Sequence, residues 1–249
     1  MSQASRIVKA VSGIVVAVTA GICLAAEQHP DFTGVWTNAG GPGIGGATRA
    51  APPERPSLTP LAQKRLEAYN KLVGGTDDSP GRWCTGTGMP GSMLGSGGYP
   101  MEIIQRPEQI TVIYEAHNEI RRIYFGERNA PQADRVPGRD GYSSGRWEGD
   151  MLVVETDNLV DQVDQRNTSH SDKATIVERY KLAGKDAQGR RILTVEMTMT
   201  DPVFYTKPVV MTKSWAQVPN GRLLPYECPE EMWLDRIAER AKEAGVPVP

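Results

Sequence analysis

From Met101 onward the apolar residues recur with a period of two, the pattern of strands that bury one face. Such runs cover 101–106, 110–117 and 120–126, separated by Pro107-Glu108-Gln109 and by Asn118-Glu119, which predicts a meander. After an irregular stretch come runs at 144–147 and 151–159, joined at Glu148-Gly149-Asp150. Further runs follow at 174–183, 191–201, 209–218 and 222–228, and the last two are joined by Pro219-Asn220-Gly221, a strong hairpin signal. About nine strands with no helix between them predict an all-β fold. The expected form is an antiparallel meander closed, or nearly closed, into a lipocalin-like β-barrel, with a sandwich as the competing architecture.

The period turns helical in two places. Thr59-Pro60 reads as an N-cap with proline in the first turn, and Leu61, Arg65, Leu66, Tyr69 and Leu72 follow at helical spacing until Gly74-Gly75. A second amphipathic helix fits 230–244, with Met232, Leu234, Ile237 and Ala241 as its apolar members. Residues 31–60 are otherwise punctuated by Gly and Pro, an extended arm in which Phe32-Thr33-Gly34-Val35-Trp36 alone has the alternation to add a strand. The Gly-rich stretch 85–98 resembles a phosphate cradle in composition, but a β run follows it where such a loop requires a helix.

The first thirty residues change the picture of compartment. Arg6 and Lys9 precede an uncharged run from Ala10 to Ala26 that ends in Cys23-Leu24-Ala25-Ala26, the charged-then-apolar order of a signal peptide with small residues at a cleavage point after Ala25 or Ala26. An uncleaved anchor helix competes, though the run is shorter than the ~20 residues a span prefers. Ile22 before Cys23 argues against lipid attachment. The expected layout is therefore a signal at 1–26, an arm with one helix at 27–100, and a barrel with its C-terminal helix at 101–249, arm and barrel forming one domain. The location is periplasmic or secreted, with no stable membrane insertion once the signal is removed. A formal net charge of −2 and the lack of a basic stretch interleaved with aromatics make nucleic acid an unsuitable partner, leaving a small molecule. The mature chain keeps Cys84 and Cys228, which in an oxidising compartment suggest a disulfide; free thiols and metal ligation are the alternatives.

In an up-and-down barrel alternate connections lie at opposite ends. That rule gathers the longer loops, 127–143, 160–173 and 202–208, at one end with 107–109, and places Asn118-Glu119 at the other. Long loops on a rigid barrel make a ligand mouth. At that mouth His170, with Asp161, Asp164 and Asp172 nearby, is suited to proton transfer, whereas His117 reads as structural. Asp140 and Tyr142, in Arg139-Asp140-Gly141-Tyr142, and Tyr205 and Lys207, in the segment 201–208, complete the candidate catalytic set; Tyr and Lys together can stabilise an oxyanion. A two-residue hairpin at Asn118-Glu119 would place Glu115 opposite Arg122, and these two with Tyr124 and Tyr226 are the expected substrate contacts. A Cys84–Cys228 bridge would tie the Gly-rich stretch to the mouth as a lid.

Gly145-Arg146-Trp147-Glu148-Gly149-Asp150 followed by Leu152-Val153-Val154, together with Asp201-Pro202, Tyr205-Thr206-Lys207-Pro208 and Tyr226-Glu227-Cys228, resembles a widespread group of secreted bacterial proteins of unassigned function. The likeness runs from Phe32-Thr33-Gly34-Val35-Trp36 through most of the mature chain. It implies an exported barrel and no particular reaction. Members of the group often carry Gly-His-Ser ahead of the hexapeptide, where this chain has Gly141-Tyr142-Ser143-Ser144.

There is no nucleotide fingerprint and no His-rich metal motif. The reading is therefore a periplasmic enzyme, a lyase or isomerase that acts on an apolar or aromatic compound by acid/base chemistry with neither organic cofactor nor metal. The main rival is a lipocalin-like protein that binds without chemistry. Intact mass of the exported protein, with and without reductant, should show a chain beginning near Ala26 or Glu27 with no alkylatable thiol until it is reduced; two free thiols in the native protein would exclude the bridge.

Overall fold

A computed structural model describes residues 29–39, 56–76, 78–95, 98–164, 168–227 and 231–248. The expected signal, Cys228 and residues 40–55 of the arm lie outside the described residues. Within them the chain forms a closed barrel whose strands are neighbours in chain order: β1 (Gly34–Asn38), β2 (Met101–Arg106), β3 (Gln109–Tyr114), β4 (Glu119–Tyr124), β5 (Tyr142–Glu148), β6 (Met151–Asp157), β7 (Thr175–Lys185), β8 (Arg191–Thr200) and β9 (Val209–Val218). Each neighbouring pair is antiparallel except β4 and β5, which run parallel and touch at only two register positions, Ile123 with Ser143 and Tyr124 with Ser144.

The all-β barrel is as the period-two pattern predicts, with one substitution of strands. The last strand was expected at 222–228, but its described part, 222–227, joins no ladder; β9 pairs with β1 instead, and the arm segment closes the ring. The turn at Asn220, with φ of +54°, is present, but the chain beyond it crosses back to the other end, where the Leu224 amide donates to Glu115 (2.6 Å).

The alternation faces Trp36, Met101, Ile103, Ile110, Val112, Tyr114, Ile123, Leu152, Val154, Ile176, Tyr180, Leu193, Val195, Met197, Met199, Met211 and Trp215 into the barrel, where they form its core. The two ends close differently. At the lower end Trp147 stacks with His29 (4.4 Å), Phe32 (5.6 Å) and Phe125 (6.5 Å). The upper end is filled by the Gly-rich segment, whose Met89 and Met93 side chains are fully enclosed in the core.

The first helix, α1 (Pro60–Val73), is capped as expected, the Thr59 hydroxyl accepting from the Ala62 amide (3.2 Å). The second, α2 (Glu231–Ala244), packs on it through Trp233, Ile237 and Ala241 against Tyr69, Leu72 and Val73. The apolar face was expected to include Met232 and Leu234; both are largely exposed, and the indole of Trp233 takes the buried position. No helix among the described residues is long and apolar enough to cross a membrane.

Because Trp147 covers the lower end with three aromatic partners while remaining partly exposed, Trp147→Ala should cost about 3 kcal/mol, near the low end for truncating a large aromatic side chain. Chemical denaturation checks this; an unchanged midpoint would show that the stack contributes nothing to the fold.

Candidate functional site

The parallel β4–β5 pair determines where a site can form. An alternating meander would put Asn118 opposite the long loops, but the 125–141 connection runs the length of the barrel before β5 begins. The 115–118 loop therefore lies at the upper end with 158–174 and 201–208, and the turns at 107–108, 149–150, 186–190 and 219–221 lie below. His117 thus sits at the upper end, edge-on to Tyr226 (4.9 Å). The hairpin register differs as well. His117 and Asn118 both adopt positive φ, which lengthens the loop, so Tyr114 pairs with Glu119 and Thr111 with Arg122. Glu115 consequently does not face Arg122; it is buried against Leu224, and Arg122 points to solvent.

Where β4 and β5 part above their two pairing positions, a cleft of about 310 Å³ opens in the barrel wall, lined by Ile120, Arg121, Arg122, Tyr124, Asp134, Val136, Asp140, Gly141 and Tyr142. Four of the expected site residues, Asp140, Tyr142, Arg122 and Tyr124, meet here. Tyr124 and Tyr142 stack at 5.3 Å, the Tyr142 hydroxyl accepts from the Ala130 amide (2.6 Å), and the Arg135 guanidinium lies 4.5 Å from the Tyr142 ring centroid. Both tyrosines are thereby fixed as an aromatic wall. Ile120 and Val136, each well exposed, give the cleft an apolar rim.

Behind the cleft lies a buried polar cluster that period-two reasoning missed. Arg121, on the inward face of β4, donates to Ser143 (3.0 Å), Thr156 (2.8 Å), Tyr180 (3.2 Å) and both carboxylate oxygens of Glu178, with guanidinium and carboxylate both fully enclosed. Burial works against the Arg121 charge, but the Glu178 carboxylate holds its pKa well above the ordinary value. The Tyr114 and Tyr180 phenols are pushed far upward by burial and remain protonated. The signal was present: Glu178 stands between Ile176 and Tyr180 on the apolar face of β7, where a carboxylate is costly unless paired.

Asp140 stands between this cluster and the cleft. Burial, with repulsion from Glu178, raises its carboxyl pKa although Arg121 and Arg139 oppose the shift, and its Oδ1 is buried with no hydrogen-bond partner. Glu119, also inward on β4, accepts from the Gly88 amide (2.8 Å) and the Ser92 hydroxyl (2.5 Å) and so fastens the Gly-rich segment. A Cβ at Gly86 would overlap the Glu119 carboxylate, and one at Gly88 the Arg139 carbonyl, so glycine is what allows this close approach. Burial and the neighbouring Asp140 charge push Glu119 up to about 7.

The remaining expected residues lie elsewhere. His170 is fully enclosed, its Nδ1 paired with the Thr168 carbonyl (2.8 Å), and the Tyr205 hydroxyl donates to the Ser169 carbonyl (2.5 Å). Burial also raises the Tyr205 pKa. Lys207 is exposed, and Tyr226 packs on His117 and Tyr99. Cys84 Sγ lies 4.0 Å from Met232 Sδ. Among the described residues no three His, Cys, Asp or Glu side chains gather as a metal site.

No protein family, curated protein or solved structure matches the chain.

Glu119 makes a pH prediction whose sign is fixed. Its folded pKa lies above the ordinary carboxylate value of 4.5, so the folded state keeps a proton that the unfolded chain releases. That contribution is complete below 4.5 and disappears as pH rises through about 7. Glu119→Gln should therefore lose less stability than the parent between about pH 5 and 8, measured by denaturation at each pH. Parallel curves would show that Glu119 ionises in the folded protein as it does in the unfolded chain.

Proposed function

We propose that the protein, exported to the periplasm or beyond after loss of its signal and carrying a Cys84–Cys228 bridge, binds a small apolar or aromatic compound in the β4–β5 cleft. There it acts on the compound by proton transfer as a lyase or isomerase. The observation that carries the reading is Asp140, whose desolvated carboxyl presents a buried, unpartnered oxygen at a cleft walled by two stacked tyrosines. A carboxyl held towards neutrality can donate a proton and, once ionised, accept one. An aromatic wall with an apolar rim suits a flat, weakly polar compound that offers Asp140 a single polar group. Met232, four residues beyond Cys228, touches Cys84, which supports the bridge.

Binding without chemistry is the second reading. It is favoured by the fixed state of Tyr142, whose hydroxyl accepts from the Ala130 amide and whose ring is held between Tyr124 and Arg135, as in a binding wall. The barrel fold is compatible with small-molecule binding under either reading.

The test begins with a mass-spectrometric survey of compounds that co-purify with the protein or are altered by it. For the compound found, Asp140→Asn should slow turnover by roughly 10² to 10⁴ with affinity nearly intact. Tyr124→Ala should weaken binding, and His170→Ala should leave both unchanged. A change in affinity alone in Asp140→Asn establishes binding without catalysis, and activity lost only in His170→Ala would show that the cleft is the wrong site.

A further inference from the structure

Charged side chains that face the barrel interior must be accounted for individually, since an unpaired charge there is costly. Arg121 and Glu178 neutralise each other, and Glu119 holds the Gly-rich segment. Lys213 remains. It lies on β9 between Met211 and Trp215, both buried in the core, so the strand's alternation turns it inward with them. Among the described residues no carboxylate pairs with it; what faces its Nζ is the Trp215 ring, 5.2 Å away.

Two further groups stand beside it without partners. Asn38 pairs with Trp215 in the β1–β9 ladder, and both Asn38 Oδ1 and Trp215 Nε1 are buried with no hydrogen bond. A Cβ at Gly95 would overlap Asn38 Oδ1 and lie 3.0 Å from Lys213 Nζ, so the two side chains converge on one point beneath the Gly-rich segment. An amine, an unpartnered N–H donor and an unpartnered carbonyl acceptor are thus gathered on one patch of the inner wall. Lys213 is only half-buried, so part of the residue stays open to solvent.

We propose that Lys213 is an imine-forming residue that takes a small aldehyde or ketone, a site separate from the β4–β5 cleft. The neutral amine attacks the carbonyl carbon: a C–N bond forms, the C=O π bond opens, and one proton leaves the nitrogen as one is taken up by the oxygen, giving a neutral carbinolamine. The carbinolamine then loses its hydroxyl as water, the oxygen taking a proton from solvent while the nitrogen releases one to solvent. No oxidant or reductant is needed. Trp215 Nε1 can donate to a polar substituent of the bound compound and Asn38 Oδ1 can accept from one, which would satisfy both atoms. Burial lowers the pKa of Lys213, which favours the neutral amine that this chemistry requires.

The experiment treats the whole mature protein with acetaldehyde or benzaldehyde and cyanoborohydride at neutral pH, then locates the reduced adduct by peptide mass spectrometry. Lys213 should be alkylated roughly tenfold or more faster than the exposed Lys181 and Lys207. Lys213→Arg keeps a cation over Trp215 but cannot form an imine, so it should abolish the fast adduct while the melting curve is retained. Lys213 labelling no faster than the exposed lysines, or a fast adduct that persists in Lys213→Arg, would overturn the proposal. Neither result bears on the Asp140 cleft.

Discussion

A ring with an odd number of strands cannot be antiparallel at every seam. Here the mismatch falls between β4 and β5, which meet at two register positions, whereas β5 and β6 pair over seven. That seam produces the candidate cleft. It requires a connection running the length of the barrel, it moves the 115–118 loop to the upper end, and it leaves an opening in the wall where the two strands diverge.

The seam also explains the interior charge. Few ladder hydrogen bonds hold β4 to β5, and Arg121 supplies side-chain links in their place: from β4 it reaches Ser143 on β5, Thr156 on β6, and Glu178 and Tyr180 on β7. A buried ion pair adds little net stability over an apolar pair of equal volume, yet removing one partner strands the other and costs about 3 to 5 kcal/mol. The arrangement therefore specifies how the seam closes more than it strengthens the barrel. Asp140 inherits its environment from this cluster, since Glu178 repels its charge while burial removes its solvent.

Both ends of the barrel are occupied by the chain itself, aromatic rings below and two methionines above. A ligand in the manner of an open-mouthed barrel would have to displace Met89 and Met93. The side cleft needs no such displacement, which favours the wall over the mouth for the proposed binding site. Glu119 links the two regions, because the same strand that borders the cleft holds the Gly-rich segment in place.

Local chemistry alone determined much of this protein. Period-two alternation gave most of the strands, Thr59-Pro60 gave the start of α1, and Asp140 and Tyr142 stood out as residues of interest, because each of these features depends on neighbours close in the chain. Tertiary structure decided the rest. That β9 would pair with β1 instead of residues 222–227 depends on competition for one sheet edge between segments far apart in sequence. Arg121 and Glu178 are separated by more than fifty residues, and alternation could mark each as a charge on an inward face but could not name its partner. The ends of the barrel were misassigned below β5 because a parallel seam reverses every earlier connection, and no local pattern records the direction in which a long loop returns.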